Sequence, residues 1–92
     1  MKYEIIYNDT QNRFEAISDG DIIGLVDYHV TDNVMRVTHT EVNSEYEGQG
    51  IAASLTQTLL EYAKAKQYTV RPICPYTRVY ISRHPEYQSL IK

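Results

Sequence analysis

The chain has 92 residues and a formal net charge of −3; that length holds one domain, residues 1–92, and that charge argues against nucleic acid as a main partner, because phosphate neutralisation needs a basic face. One cysteine excludes an intramolecular disulfide and a cysteine cluster for metal, and no HxH or HExxH spacing occurs, so no metal site is expected. The N-terminal residues carry no long apolar stretch, so neither a signal peptide nor a membrane span is expected, and the cytoplasm is the expected location.

Tyr3 to Tyr7 forms the first predicted strand, with Tyr3, Ile5 and Tyr7 on one face. A polar turn, Asn8 to Asn12, leads into a second strand, Arg13 to Ser18. Asp19-Gly20 then signals a hairpin, since both residues tolerate positive φ. Asp21 to Val30 is the third strand. Alternation places Ile22, Gly24, Val26, Tyr28 and Val30 on one face and Ile23, Leu25, Asp27 and His29 on the other. After Thr31-Asp32-Asn33, Val34 to Val42 completes an antiparallel meander.

A helix is predicted from Gln49 to Lys66. Ile51, Leu55, Leu59 and Tyr62 recur at i, i+4, i+8 and i+11, an apolar stripe that faces a sheet, and Leu60 falls off it. Thr69 to Ile73 is a fifth strand. Following a helix, it pairs parallel to a strand already in the sheet, through a right-handed crossover. Pro75 suits the first position of a second helix, Tyr76 to Arg83, and Glu86 to Ile91 forms a last turn. The expected fold is α+β: a mainly antiparallel sheet of about five strands with a β-α-β crossover and helices packed on it.

The stretch between strand four and the long helix, Tyr46-Glu47-Gly48-Gln49-Gly50-Ile51, carries the clearest chemistry. The first N–H groups of a helix lack intrahelical partners, the dipole adds positive charge there, and glycine removes the Cβ that would hold a phosphate away. A plain glycine-bearing turn fits the same spacing. No Gly-Lys-Ser/Thr follows, as a Walker loop requires, and Ala53 stands where a dinucleotide fold has its third glycine.

Cys74 lies between a strand end and a proline-started helix, where the dipole favours a thiolate; a small buried residue is the plainer reading. His39, on the fourth strand with Met35 and Val37, reads as a proton acceptor or as a satisfied histidine. Glu41 is a second base candidate. Tyr76 and Tyr80 are spaced to present a phenol from one helix face, and Arg78 and Arg83 to reach phosphates; core packing for the tyrosines and solvation for the arginines are the plainer readings.

Glu47-Gly48-Gln49-Gly50-Ile51-Ala52 resembles the pyrophosphate loop Q/R-x-x-G-x-G/A of the GCN5-related N-acetyltransferases, with Gly50 and Ala52 in place and Glu47 where the family has Gln or Arg. Together with His39-Thr40-Glu41-Val42, Cys74-Pro75-Tyr76 and Arg83-His84-Pro85-Glu86-Tyr87, it makes nearly the whole chain similar to the short YjdJ-type branch of that superfamily. The resemblance implies an acetyltransferase fold without the further strand pair that longer members carry. It implies acetyl-coenzyme A as cosubstrate and an amine as acceptor. Gly48, Gln49, Gly50, Ile51, Ala52, Ala53 and Ser54 would hold the pyrophosphate, and the Val42 backbone would pair with the pantetheine arm. Strands four and five would splay, with the thioester between His39 and Cys74, the suspected active-site thiol, which would either take the acetyl group covalently or act as acid or base beside direct attack by the amine. An amide of strand four would stabilise the oxyanion. Two other readings stand beside this one: an acyl-coenzyme A binding or sensing protein without efficient transfer, and an interaction domain using an exposed sheet edge.

Overall fold

The computed structural model describes residues 2–91; Met1 and Lys92, the ends of the expected 1–92 domain, lie outside them. Strands β1 (Glu4–Asn8), β2 (Arg13–Ser18), β3 (Asp21–Thr31) and β4 (Val34–Val42) form an antiparallel meander, and β5 (Thr69–Pro72) joins parallel to β4, giving the order β1-β2-β3-β4-β5. Helix α1 (Ile51–Ala65) connects β4 to β5, and helix α2 (Pro75–Ser82) follows β5. Short 3-10 turns lie at Ser44–Tyr46 and Pro85–Leu90. The predicted elements are all present, with ends displaced by one or two residues.

Two of the hairpins owe their tightness to residue type. Asp19 and Gly20 have φ of 50° and 82°, and Asp32 and Asn33 have 54° and 63°. Both central positions are left-handed, the geometry whose twist matches that of the flanking strands. The far end of α1 closes in a related way: Gln67 is left-handed at φ 63° and the Tyr68 amide donates back to the Ala63 carbonyl at 2.9 Å.

Two bulges break the simple alternation. In β2–β3 the register passes from Ala16↔Gly24 to Ile17↔Ile22, so Ile23 is the extra residue. Ile23 turns into the core at 1% exposure and Ile22 turns out at 47%. The expectation that Ile22 shares the inner face with Gly24, Val26 and Tyr28 is corrected by this bulge; the other three do hold that face. In β3–β4 the register passes from Tyr28↔Val37 to Asp27↔His39, leaving Thr38 extra. Beyond it Thr40 pairs with the buried Val26 and takes the inner face, while His39 pairs with Asp27 on the outer one. The expected grouping of His39 with Met35 and Val37 does not form, because one inserted residue inverts every later side chain.

The core lies between the inner sheet face and α1. Ile51, Leu55, Leu59 and Ala63 pack with Phe14, Ala16, Val26, Tyr28, Met35 and Val37, each large side chain contributing on the order of 2 kcal/mol by burial. Leu60, off the main stripe, is fully buried as well. A second side of α1 is covered by α2 and the final turn, where the Tyr87 hydroxyl donates to Glu61 at 2.7 Å. Gly24 sets the height of α1 above the sheet: a Cβ there would stand 3.2 Å from the Ile51 side chain, the Val42 side chain and the Glu41 carbonyl oxygen. Among the described residues, no helix is long and apolar enough to cross a membrane.

Candidate active site

β5 pairs with β4 only over Val34 to Val37. There the amides of Ile73 and Cys74 both donate to the Val37 carbonyl, at 3.0 and 2.9 Å, and Pro75 turns the chain into α2. β4 runs on to Val42, so among the described residues its edge from Thr38 to Val42 has no strand beside it on that side. The two strands part at the Thr38 bulge, as the expected splay requires.

At the far end of that open edge lies the glycine loop. Gly48 and Gly50 have φ of 82° and 78°, left-handed values that favour glycine. A Cβ on either would meet open space, so the requirement is conformational and not one of packing. Gly50 is the N-cap of α1, with no side-chain cap and no acidic residue in the first turn. The first intrahelical bond runs from the Ser54 amide to the Gly50 carbonyl at 3.0 Å. The amides of Ile51, Ala52 and Ala53 precede it, at the positive end of an uncompensated helix dipole.

A cavity of about 240 Å³ opens here, lined by Val42, Tyr46, Glu47, Gly48, Gly50, Ile51, Ala52, Ala53 and Tyr76. Six of the residues expected to bind a coenzyme are among these. Gln49 is exposed and lines no part of it. Ser54 faces a neighbouring cavity between α1 and α2, and its Oγ accepts a hydrogen bond from the Tyr3 hydroxyl at 2.8 Å. Tyr76 belongs to the walls of both cavities.

Cys74 is the N-cap of α2 and 5% exposed. Its thiol donates to the Thr40 hydroxyl at 3.5 Å. Burial pushes its pKa up, but the Thr40 hydroxyl, the Thr77 and Tyr76 amides and the Thr77 hydroxyl outweigh burial and hold the thiol below its ordinary value. Among the described residues the Thr77 Oγ1, itself fully buried, has no hydrogen-bond partner. Thr40 and Thr77 are functional candidates that sequence reasoning missed. Thr77 carried a usable signal, three residues after a thiol that opens a helix; Thr40 did not, because a bulge leaves no mark in a polar run.

His39 and Cys74 are not brought together. His39 stands on the outer sheet face with its Nε2 donating to Glu41 Oε1 at 2.7 Å, both side chains more than half exposed. Beside them Arg13 donates to Asp27 at 2.8 Å. Arg78 donates to the Ile73 carbonyl at 3.2 Å, whereas Arg83 lines the cavity between the helices. Tyr80 is buried under the His84 ring. Among the described residues, no group of three or more His, Cys, Asp or Glu side chains is placed to hold a metal ion.

Residues 13–90 match the model of a family described as GCN5-related N-acetyl-transferase. N-acetylaspartate synthetases from Homo sapiens and Rattus norvegicus are each 32% identical over 77 residues, which cover 82% of this chain and 25% of theirs. The chain therefore spans about a quarter of the length of these relatives. Among solved structures, a GCN5-like protein from Staphylococcus aureus superposes with a TM-score of 0.76 at 22% identity, covering 97% of this chain and 87% of that one. A GNAT family acetyltransferase from Elizabethkingia anophelis with acetyl-CoA bound superposes with a TM-score of 0.60 at 20% identity, over 77% of this chain and 50% of that one. Both likenesses are likenesses of fold.

Proposed function

The chain belongs to the GCN5-related N-acetyltransferase family, and from that premise we propose that it binds acetyl-coenzyme A and transfers the acetyl group to an amine. The observation that carries this reading is the cavity joining the free amides of Ile51 to Ala53 to the unpaired edge of β4. The amides suit a pyrophosphate, and the open edge near Val42 suits an extended arm that adds to the sheet like a strand. The acetyl-CoA held by a structural neighbour and the name of the N-acetylaspartate synthetases support the same cosubstrate and an amine acceptor. The proposal takes residues 1–92 as one acetyltransferase domain of the cytoplasm. It places the chain in the short YjdJ-type branch, on the quoted motifs.

The thioester supplies an activated acetyl group. In the proposed route the Cys74 thiolate attacks its carbonyl carbon, the bond from that carbon to the coenzyme sulfur breaks, and the coenzyme leaves as a thiolate. The acceptor approaches through the gap where β5 leaves β4, with His39 at its outer side. There Nε2 of His39 carries the proton given to Glu41, so Nδ1 is free to take one from the ammonium. The amine nitrogen then bonds to the acetyl carbon, Cys74 departs as the thiolate that began the cycle, and the second proton the nitrogen sheds in becoming an amide neutralises the coenzyme thiolate.

Two measurements test this. Acetyl-CoA raises the melting temperature, because a ligand of the native state stabilises it. Mass spectrometry after incubation finds one acetyl group on Cys74 that is lost when a library of amines is added. A chain that is neither stabilised nor labelled is not the enzyme proposed. The near burial of Cys74 favours a second reading, an acyl-coenzyme A sensor; stabilisation without labelling or amine acetylation identifies that one.

A further inference from the structure

We propose that the cavity between α1 and α2 receives the terminal 3′-phosphate of the coenzyme, with Arg83 as its main contact. This inference rests on the coenzyme reading above and extends it to the opposite end of the ligand.

The cavity is about 280 Å³ and is lined by Ser54, Gln57, Tyr76, Tyr80, Arg83 and His84, among others. It shares Ala53 and Tyr76 with the cavity at the start of α1, so a ligand gripped there at its pyrophosphate has a neighbouring hollow within reach. Its charge is unlike that of the chain as a whole. The protein carries 12 Asp and Glu against 9 Lys and Arg, yet among the described residues no carboxylate lines this hollow. Among the described residues Arg83 forms no ion pair.

The neighbouring imidazole is already committed to one orientation. The His84 ring stacks on Tyr80 with centroids 3.9 Å apart and planes 14° apart, and its Nδ1 donates to the Tyr80 carbonyl at 2.7 Å. That leaves Nε2 as its remaining polar atom. Across the cavity, α1 contributes the polar side chains of Ser54 and Gln57. A planar guanidinium with nearby hydroxyl and amide groups suits a phosphate monoester, which takes two parallel hydrogen bonds from arginine. Arg78, which lines a different hollow and donates to Ile73, is not part of this site. The plainer role for Arg83 is to offset the negative end of the α2 dipole, which would not distinguish one coenzyme from another.

Calorimetric titration with coenzyme A and with 3′-dephospho-coenzyme A separates these roles. The expected result is that the wild-type chain binds coenzyme A about tenfold tighter than the dephospho form. In Arg83→Gln the preference disappears while affinity for the dephospho form is unchanged. Equal wild-type affinities, or an Arg83→Gln variant that loses both ligands alike, overturn the inference and leave the coenzyme reading standing. If neither ligand binds the wild-type chain, both fall together. Melting of each variant without ligand establishes that it is folded.

Discussion

Cys74 and Thr40 are 34 residues apart in the chain and meet sulfur to hydroxyl at 3.5 Å. Their contact lies where β5 leaves β4. It exists because the Thr38 bulge turns Thr40 inward, where regular alternation would have presented His39. A thiol at a helix start with two hydroxyls near it is held below its ordinary pKa. By linkage, that depressed value contributes stability that is present above the unfolded-state pKa and lost as the pH falls through the folded one.

Replacing Thr40 with valine removes one of the groups that favour the thiolate. The midpoint of the pH profile for Cys74 alkylation should rise, and the alkylation rate near neutral pH should fall about threefold to tenfold. Thr77→Val should move the midpoint in the same direction. A midpoint unmoved in both variants would show that the two hydroxyls do not tune the sulfur.

His39 lies on the other face of β4, so His39→Ala should leave the alkylation profile of Cys74 in place. Amine acetylation should nonetheless drop about 100-fold, the usual scale for losing a general base. A shifted thiol profile would mean that imidazole and sulfur communicate, contrary to their placement.

Two glycines should separate positioning from binding. Gly24→Ala crowds the Glu41 carbonyl and Ile51, and is expected to destabilise the fold by about 1–3 kcal/mol in urea titrations, lifting the start of α1. Gly50→Ala meets no atom and costs about 1 kcal/mol for its left-handed φ. Its Cβ enters the space where the proposed pyrophosphate would sit, so coenzyme affinity should fall at least tenfold. Unchanged affinity in folded Gly50→Ala would remove the loop from the site.

Alkali should weaken the protein. Burial, and then the hydrogen bond to Glu61, push Tyr87 up to about 12 from an ordinary 10.0. Burial and the hydrogen bond to Tyr7 push Tyr28 up as well. A phenol raised in the folded state contributes stability that is complete below the unfolded pKa and disappears as the pH climbs through the folded one. Stability should therefore decline between about pH 10 and 12, less steeply in Tyr87→Phe. A Tyr87→Phe variant with the wild-type slope would assign the decline to the other tyrosines.

Local rules were enough for the elements and their order. Asp19-Gly20 and Asp32-Asn33 specify tight turns wherever they occur, Pro75 starts a helix, and the recurrence of Ile51, Leu55 and Leu59 requires a surface to cover. The glycine loop was legible for the same reason, since left-handed backbone and free helix amides are properties of a few adjacent residues. Pairing between distant strands decided the rest. A bulge is a mismatch in length between two paired strands, so neither strand read alone shows it. Ile23 entered the core and His39 left the cleft because of partners elsewhere in the chain. Leu60, off the main stripe, is buried only in the assembled fold, and the setting of Cys74 depended on which strand-four side chains the sheet turned toward it.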